Sequence, residues 1–304
     1  MTTASAPFKA NALGQFRRFV NLLMTALCAV GAIVAISALT LVLIYLVSNG
    51  IHSLSWSMLT HGVDTFHPAE EGLRNAIVGT IVLISVASVI GLPIGILGGV
   101  YQVESRGRFA STIRFLTDVL NSIPSIVIGI FVYILVVLPV SDYANAHHLD
   151  DVSGYSAFAG GVALAILMIP TVMRTTEEIL RLVPISLREG SLALGATKWR
   201  TMFSIVLPAA RSGIITGIML ALARIAGETA PLIFTAFGNN VYSVKLFQPI
   251  DSLPWAIFKC ATQPTNLAID EAKAHAGALI LILLIFSMSI ITRIATRNSL
   301  MEEK

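Results

Sequence analysis

The chain has 304 residues, 55% of them hydrophobic and only 12% charged, about half the charge of a soluble domain. Its formal charge of +3 says little until the positions of the charges are known. Composition excludes a soluble globular domain, leaves an integral membrane protein and points to no nucleic-acid partner.

In chain order, apolar runs long enough to cross about 30 Å of hydrocarbon fall at 20–47, 76–103, 113–138, 158–179, 214–237 and 274–294. The expected fold is all-α and polytopic, with about six transmembrane helices. The first run exceeds the short apolar core of a signal peptide and no small-residue cleavage site follows it, so it reads as an uncleaved anchor. Lys9, Arg17 and Arg18 precede it. Arg106, Arg108 and Arg114 lie between runs two and three. Arg174, Arg181, Arg188, Lys198, Arg200 and Arg211 flank the loop between four and five, and Arg293, Arg297 and Lys304 close the chain. Six spans put these fifteen of the twenty basic residues on one side. The opposite loops, about 48–72, 139–157 and 238–273, hold Asp64, Glu70, Glu71, Asp142, Asp150, Asp151, Asp251, Asp270 and Glu271. The positive-inside rule then expects both termini in the cytoplasm. The organisation expected is 1–72 for the N-terminus, anchor and outer loop, 73–297 for the transmembrane domain, and 298–304 for a cytoplasmic tail.

After the first run, "SLSWSMLTH" (53–61) predicts a short interfacial helix with Trp56 at headgroup level. In the second run, Gly91, Gly95 and Gly99 recur every four residues, leaving one helix face nearly bare for close packing, either inside the subunit or at an intersubunit or gating contact. In the third, Asp118, Asn121, Ser122 and Ser125 fall on one face of a continuous helix that Pro124 loosens. They either line a polar path or bond neighbouring helices together.

The fifth run carries Gly213, Gly217, Ala221, Arg224 and Glu228 on one helical face. Counted from Gly213, Arg224 lies roughly 16 Å in, near the midplane. Pro231 lacks an N–H and should bend or break the helix, which is tolerated at that depth beside a cavity or inside protein. A charge in the bilayer costs at least about 3 kcal/mol, so the pair needs a reason. Either Arg224 and Glu228 neutralise each other structurally, or Arg224 faces a water-filled path and meets an anion, for which a permanently charged, two-pronged donor is suited.

Between runs four and five, Gly190, Gly195, Ala196 and Thr197 approach a phosphate-binding loop, but Ala196 stands in the lysine slot and no strand precedes it. No ATP site is expected in this chain. The segment reads as a surface helix with Ser186 and Glu189 as a capping box, Leu192, Ala193 and Leu194 as an apolar knob, and Gly195 as its stop. Cys28 and Cys260 form no disulfide framework, and His147 and His148 with Asp150 and Asp151 read as a solvated loop rather than a metal site. No HExxH pattern or nucleophile–base set suggests an enzyme. A proton-coupled transporter using Glu228 and Asp118 is a rival reading that leaves this loop unexplained.

Glu189-Gly190-Ser191, then Gly195 three residues on, then Ile205-x-Leu207-Pro208 after nine more, resembles the "EAA…G…I-x-LP" loop of binding-protein-dependent ABC importer permeases. Gly190 and Ser191 stand where that pattern has alanines. "RNAIVGTIVLISVASVIGLPIGILGGVY", "IPSIVIGIF", "LARIAGETAPLIFTAFGN" and "SLPWAIFK" are together similar to the A-type membrane subunits of high-affinity phosphate importers, over about residues 70–297. The resemblance implies a type I importer permease (MetI-like) core that passes inorganic phosphate across the bacterial cytoplasmic membrane, with sulfate or molybdate as the alternative cargo. It implies a C-type permease as heterodimer partner, two cytoplasmic ATPase subunits that bind ATP and Mg, and a periplasmic phosphate-binding protein, with no cofactor in this chain. Glu189, Gly190, Ser191, Leu192, Ala193, Leu194, Gly195 and Ala196 would couple to an ATPase. Arg224, with Glu228, Thr229, Asp118, Asn121 and Ser122, would serve translocation.

Overall fold

The structure, a computed structural model, describes residues 12–62, 72–105, 107–149, 151–239 and 242–301, with backbone alone at 12, 13 and 295–301. Lys9, Asp64, Glu70, Glu71, Arg106, Asp150 and Lys304 lie outside it, as does the side chain of Arg297. The described secondary structure is helical apart from one parallel bridge between Phe237 and Ile250.

The chain divides into two units, residues 1–49 and 50–304. The first holds most of the long helix α1 (Ala12–Ser53), apolar on every face, as expected of a helix surrounded by lipid. In the second, α2 (Trp56–Thr60) is the short helix expected, capped by the Ser55 hydroxyl on the Met58 N–H, with Trp56 exposed. Then follow α3 (Arg74–Glu104), α4 (Arg108–Ser122), α5 (Ser125–Val132), α6 (Leu138–Ala146), α7 (Ala157–Leu182), α8 (Ile185–Ala193), α9 (Lys198–Thr201), α10 (Leu207–Ala226), α11 (Ala230–Ile233), α12 (Leu253–Thr262) and α13 (Leu267–Met301). Among the described residues, six helices are long and apolar enough to cross a membrane.

Two expected spans are corrected. The run 113–138 is not one helix. Pro124 disfavours helical backbone in the residue before it, Ile123 is extended with ψ 131°, and the helix ends at Ser122. Consequently α4 is a separate amphipathic helix, Ser125 starts another, and the third span is Ser125–Ala146. The fifth span is Lys198–Ala226 rather than 214–237, its helix stopping in front of Pro231. Both corrected spans contain a π-helical turn, Tyr133–Val137 and Met202–Val206, each just before a proline, Pro139 and Pro208. Those prolines leave the Leu135 and Ser204 carbonyls without their usual N–H, and the wider turn re-pairs the local backbone.

Helix α7 is the hub. Gly91, Gly95 and Gly99 of α3 lie against Ala165, Val172 and Thr176 of α7, so close that a Cβ on Gly95 would come within 2.8 Å of Val172. The glycine stripe is therefore packing within the subunit. On another side, Gly213 and Gly217 of α10 lie against Ile179 and Thr175, which makes α10 antiparallel to α7.

At the end of the bundle where α3 begins, residues 250–262 fold back onto α3. A Cβ on Gly79 would strike the Asp251 carbonyl, and the Leu253 N–H donates to Thr80 Oγ1 at 2.8 Å. Burial pushes the Asp251 carboxyl up to about 6, against the Ser252 N–H and the Lys259 charge that hold it down. A carboxyl raised on folding binds its proton more tightly in the native state, so stability falls as pH rises from about 4 to 6. The fall is on the order of 3 kcal/mol for this buried group. Asp251→Asn should remove that slope from thermal unfolding in detergent; an unchanged slope would discard Asp251 as its source.

Candidate translocation site and coupling loop

Arg224 sits two residues before the end of α10, exposed, with Nη1 3.3 Å from Thr171 Oγ1 of α7. Thr171 lies fourteen residues into the 26-residue α7, about 21 Å along it. That sets the guanidinium level with the middle of α7; the count from Gly213 put Arg224 at the midplane of a span 214–237, and the fifth span instead stops at Ala226.

The expected pair with Glu228 does not form, and no ion pair joins the two. A spacing of four brings side chains together only on a continuous helix, and here Gly227 caps a helix that has already stopped at Ala226, ahead of Pro231, which could not supply the N–H to continue it. The Glu228 N–H turns back to the Ile225 carbonyl, leaving its half-buried side chain in the break beside Thr229, which leads into α11. A hydroxyl, not a carboxylate, holds Arg224.

Asp118, Asn121 and Ser122 are exposed near the end of α4, and Ser125 is not in line with them. Asp118 accepts from Arg174 of α7 at 3.4 Å, and Arg174 also donates to Glu178 at 2.9 Å. Thr171 and Arg174 are one turn apart, so α7 carries the contacts of both nominated stretches on adjacent turns. Asn121 has no partner of this kind, and Ser122 bonds only the Asp118 carbonyl.

Sequence reasoning missed a buried carboxylate nearby. Glu177 is 3% exposed, and its Oε1 accepts from Arg114 at 2.9 Å and from Arg181 at 2.6 Å. Arg181 follows by four residues, a readable signal, but Arg114 lies 63 residues away in the chain. With Arg174 and Glu178 these groups line a hollow of about 280 Å³. A larger cavity, about 890 Å³, lies elsewhere, between α3, α12 and α13, and contains none of the nominated residues.

In the loop, α8 starts behind Pro184 rather than at Ser186. Proline's fixed φ suits a helix start, so Ser186 falls inside the helix and the expected capping box is absent. The knob is real: Leu194 is 91% and Leu192 45% exposed, flanked by exposed Glu189, Gly190 and Ala193. Gly195 terminates the helix at φ +84°, a backbone that favours glycine, and half-buried Ala196 follows. Gly190 is helical, so no phosphate cradle forms. Ser191, a departure from the alanine pattern, is buried and shares a 2.8 Å hydrogen bond with Thr201, which fastens α8 to α9.

The profile of binding-protein-dependent transport system inner membrane components matches residues 91–299, more than half of the chain. The chain belongs to that family. This inner membrane component is 45% identical to a Yersinia pestis protein named phosphate transport system permease protein PstA, over 82% of this chain and 80% of that one. It is 40% identical to the Haemophilus influenzae protein of the same name, over 92% and 94%. In fold it is similar to the inward-facing MetNI methionine ABC transporter, with TM-score 0.55 and 20% identity over 75% of this chain and 94% of the other. As a member of the family, the chain is a multi-pass inner-membrane permease subunit.

Proposed function

We propose that the chain is the A-type permease subunit of an ATP-driven phosphate importer, with both termini cytoplasmic. The observation that carries this reading is Arg224, a permanent cation level with the middle of α7, exposed beside a broken helix and held by a neutral hydroxyl. Its relatives' names supply phosphate as the cargo. Residues Glu189 to Ala196 would seat on one of two ATPase subunits, which bind ATP and Mg. The heterodimer partner would be a C-type permease, and cargo would come from a periplasmic phosphate-binding protein.

An oxyanion meets two parallel donors on a guanidinium. Passage requires weak, escapable binding, so the cation must not hold too tightly. Water and Thr171 compete for the same N–H groups, and the Glu228 carboxylate in the adjoining break repels an anion that lingers. The test is ATP-dependent uptake of labelled phosphate in vesicles, with sulfate as competitor. Uptake that resists sulfate and stops on ATP depletion is the expected result. Uptake that survives ATP depletion but collapses with the proton gradient would instead make this a secondary transporter.

Coupling has its own check. Glu189→Lys or Gly195→Asp should weaken retention of the ATPase subunit in a pull-down, since one reverses a charge beside the knob and the other strains its terminating turn. Undiminished retention would remove this loop from the docking role.

A further inference from the structure

A knob that only binds an ATPase moves nothing; its displacement must reach the spans. The sequence at the end of α7 creates a vacancy suited to that purpose. In a continuing helix the Leu180 carbonyl would accept from the N–H of residue 184, but that residue is Pro184, which has none. Arg188, in the second turn of α8, occupies the vacancy: its Nη2 donates to the Leu180 carbonyl at 3.0 Å, while Nη1 donates to Glu104 Oε1 at 2.9 Å. Glu104 is the last residue of α3. One planar guanidinium therefore ties the coupling helix to the ends of the two helices that form the packed centre of the bundle. The α7 end is where a cation is also favoured by the helix dipole. Arg188 is only 22% exposed and Glu104 36%, so water screens the pair less than it does a fully exposed one.

We propose that Arg188 is the transmission residue of this permease, the positioning side chain through which displacement of α8 drives α3 and α7 together. The Ser191–Thr201 bond makes the corresponding tie towards α10. This inference rests on the importer reading, but its physical core does not depend on what is carried. A surface ion pair alone is worth little, roughly 0–1 kcal/mol. Here the same side chain also satisfies a helix-end carbonyl, and loss of the two bonds together releases α8 from both helices.

The test uses the complete complex with Arg188→Ala, Arg188→Lys and Glu104→Gln. In Arg188→Ala the knob is intact, so the ATPase subunits stay bound and hydrolyse ATP. Phosphate taken up per ATP should drop by about tenfold, within the usual scale of coupling between sites, and amide exchange across 185–193 should rise. Arg188→Lys has a single ammonium for two acceptors and should fall between. Glu104→Gln should loosen the α3 tie while leaving the Leu180 bond, and serves if the alanine variant fails to fold. Wild-type stoichiometry in these variants, or unchanged exchange across α8, would overturn the proposal. If the parent complex moved no phosphate, the importer reading would fall, and the exchange measurement would still decide whether Arg188 fastens α8.

Discussion

Arg224→Gln should abolish phosphate uptake while assembly and ATP hydrolysis by the complex remain measurable. The substitution keeps a polar side chain but removes the charge and, being two bonds shorter, the reach to the Thr171 hydroxyl that the native guanidinium meets at 3.3 Å. A cation level with the middle of a span is costly to hold, about 3 kcal/mol or more on insertion scales. Its removal should therefore leave thermal stability unchanged or raised. Lost uptake with undiminished stability is the pattern of a group retained for its chemistry; lost uptake with a matching loss of stability is that of a structural one. Arg224→Lys keeps the charge but not the two-pronged geometry and should retain part of the rate. Since Glu228 does not pair with Arg224, Glu228→Gln should leave the guanidinium in place and cost less uptake than the arginine change. Near-normal uptake in Arg224→Gln would end the translocation role.

Gly129→Ala is the second large effect. An added methyl on α5 would come 2.6 Å from the Pro231 Cα and 3.0 Å from its carbonyl oxygen, well inside the roughly 3.5–4.0 Å of ordinary contact. Both neighbours are backbone, so no side chain can rotate aside. Either α5 or α11 must move by around 1 Å, an overpacking of about 1–3 kcal/mol. Because α11 begins directly after the break that holds Glu228 and Thr229, the displacement should reach the translocation site. Uptake should fall further than the melting temperature alone explains. Gly31→Ala, within α1, is the control, with nothing within 4 Å of the new methyl, and should leave uptake unchanged. Equal behaviour of the two variants would mean that the α5–α11 contact does not set the site.

Much of this architecture was legible without coordinates. Hydropathy anticipated the six spans found among the described residues and placed four of them, because twenty apolar residues in a row have few other stable settings than lipid. The four-residue glycine spacings in α3 and α10 marked the faces that close on α7, and Pro231 marked the break. Leu192, Leu194 and Gly195 announced the knob. What misled was continuity. The run 113–138 is apolar enough on average to hide its interruption at Ile123-Pro124, so polar residues of two helices were read as one stripe. The Arg224–Glu228 pairing likewise assumed a helix that stops at Ala226. Pro184 and Arg188 show the converse, a missing donor and its replacement four residues apart, readable once the fold shows which carbonyl is left over.

Composition and periodicity determined the membrane class, the number of spans, the close-packing faces and the exposed loop, since each depends on residues near in the chain or on transfer of side chains out of water. Only the folded arrangement decided which partners the charges take: Thr171 for Arg224, Arg114 and Arg181 for Glu177, Glu104 and the Leu180 carbonyl for Arg188. Such choices depend on where helices end and which ends meet in space. At low dielectric an ångström of displacement changes which pairing is most favourable, and no spacing rule along one chain carries that information.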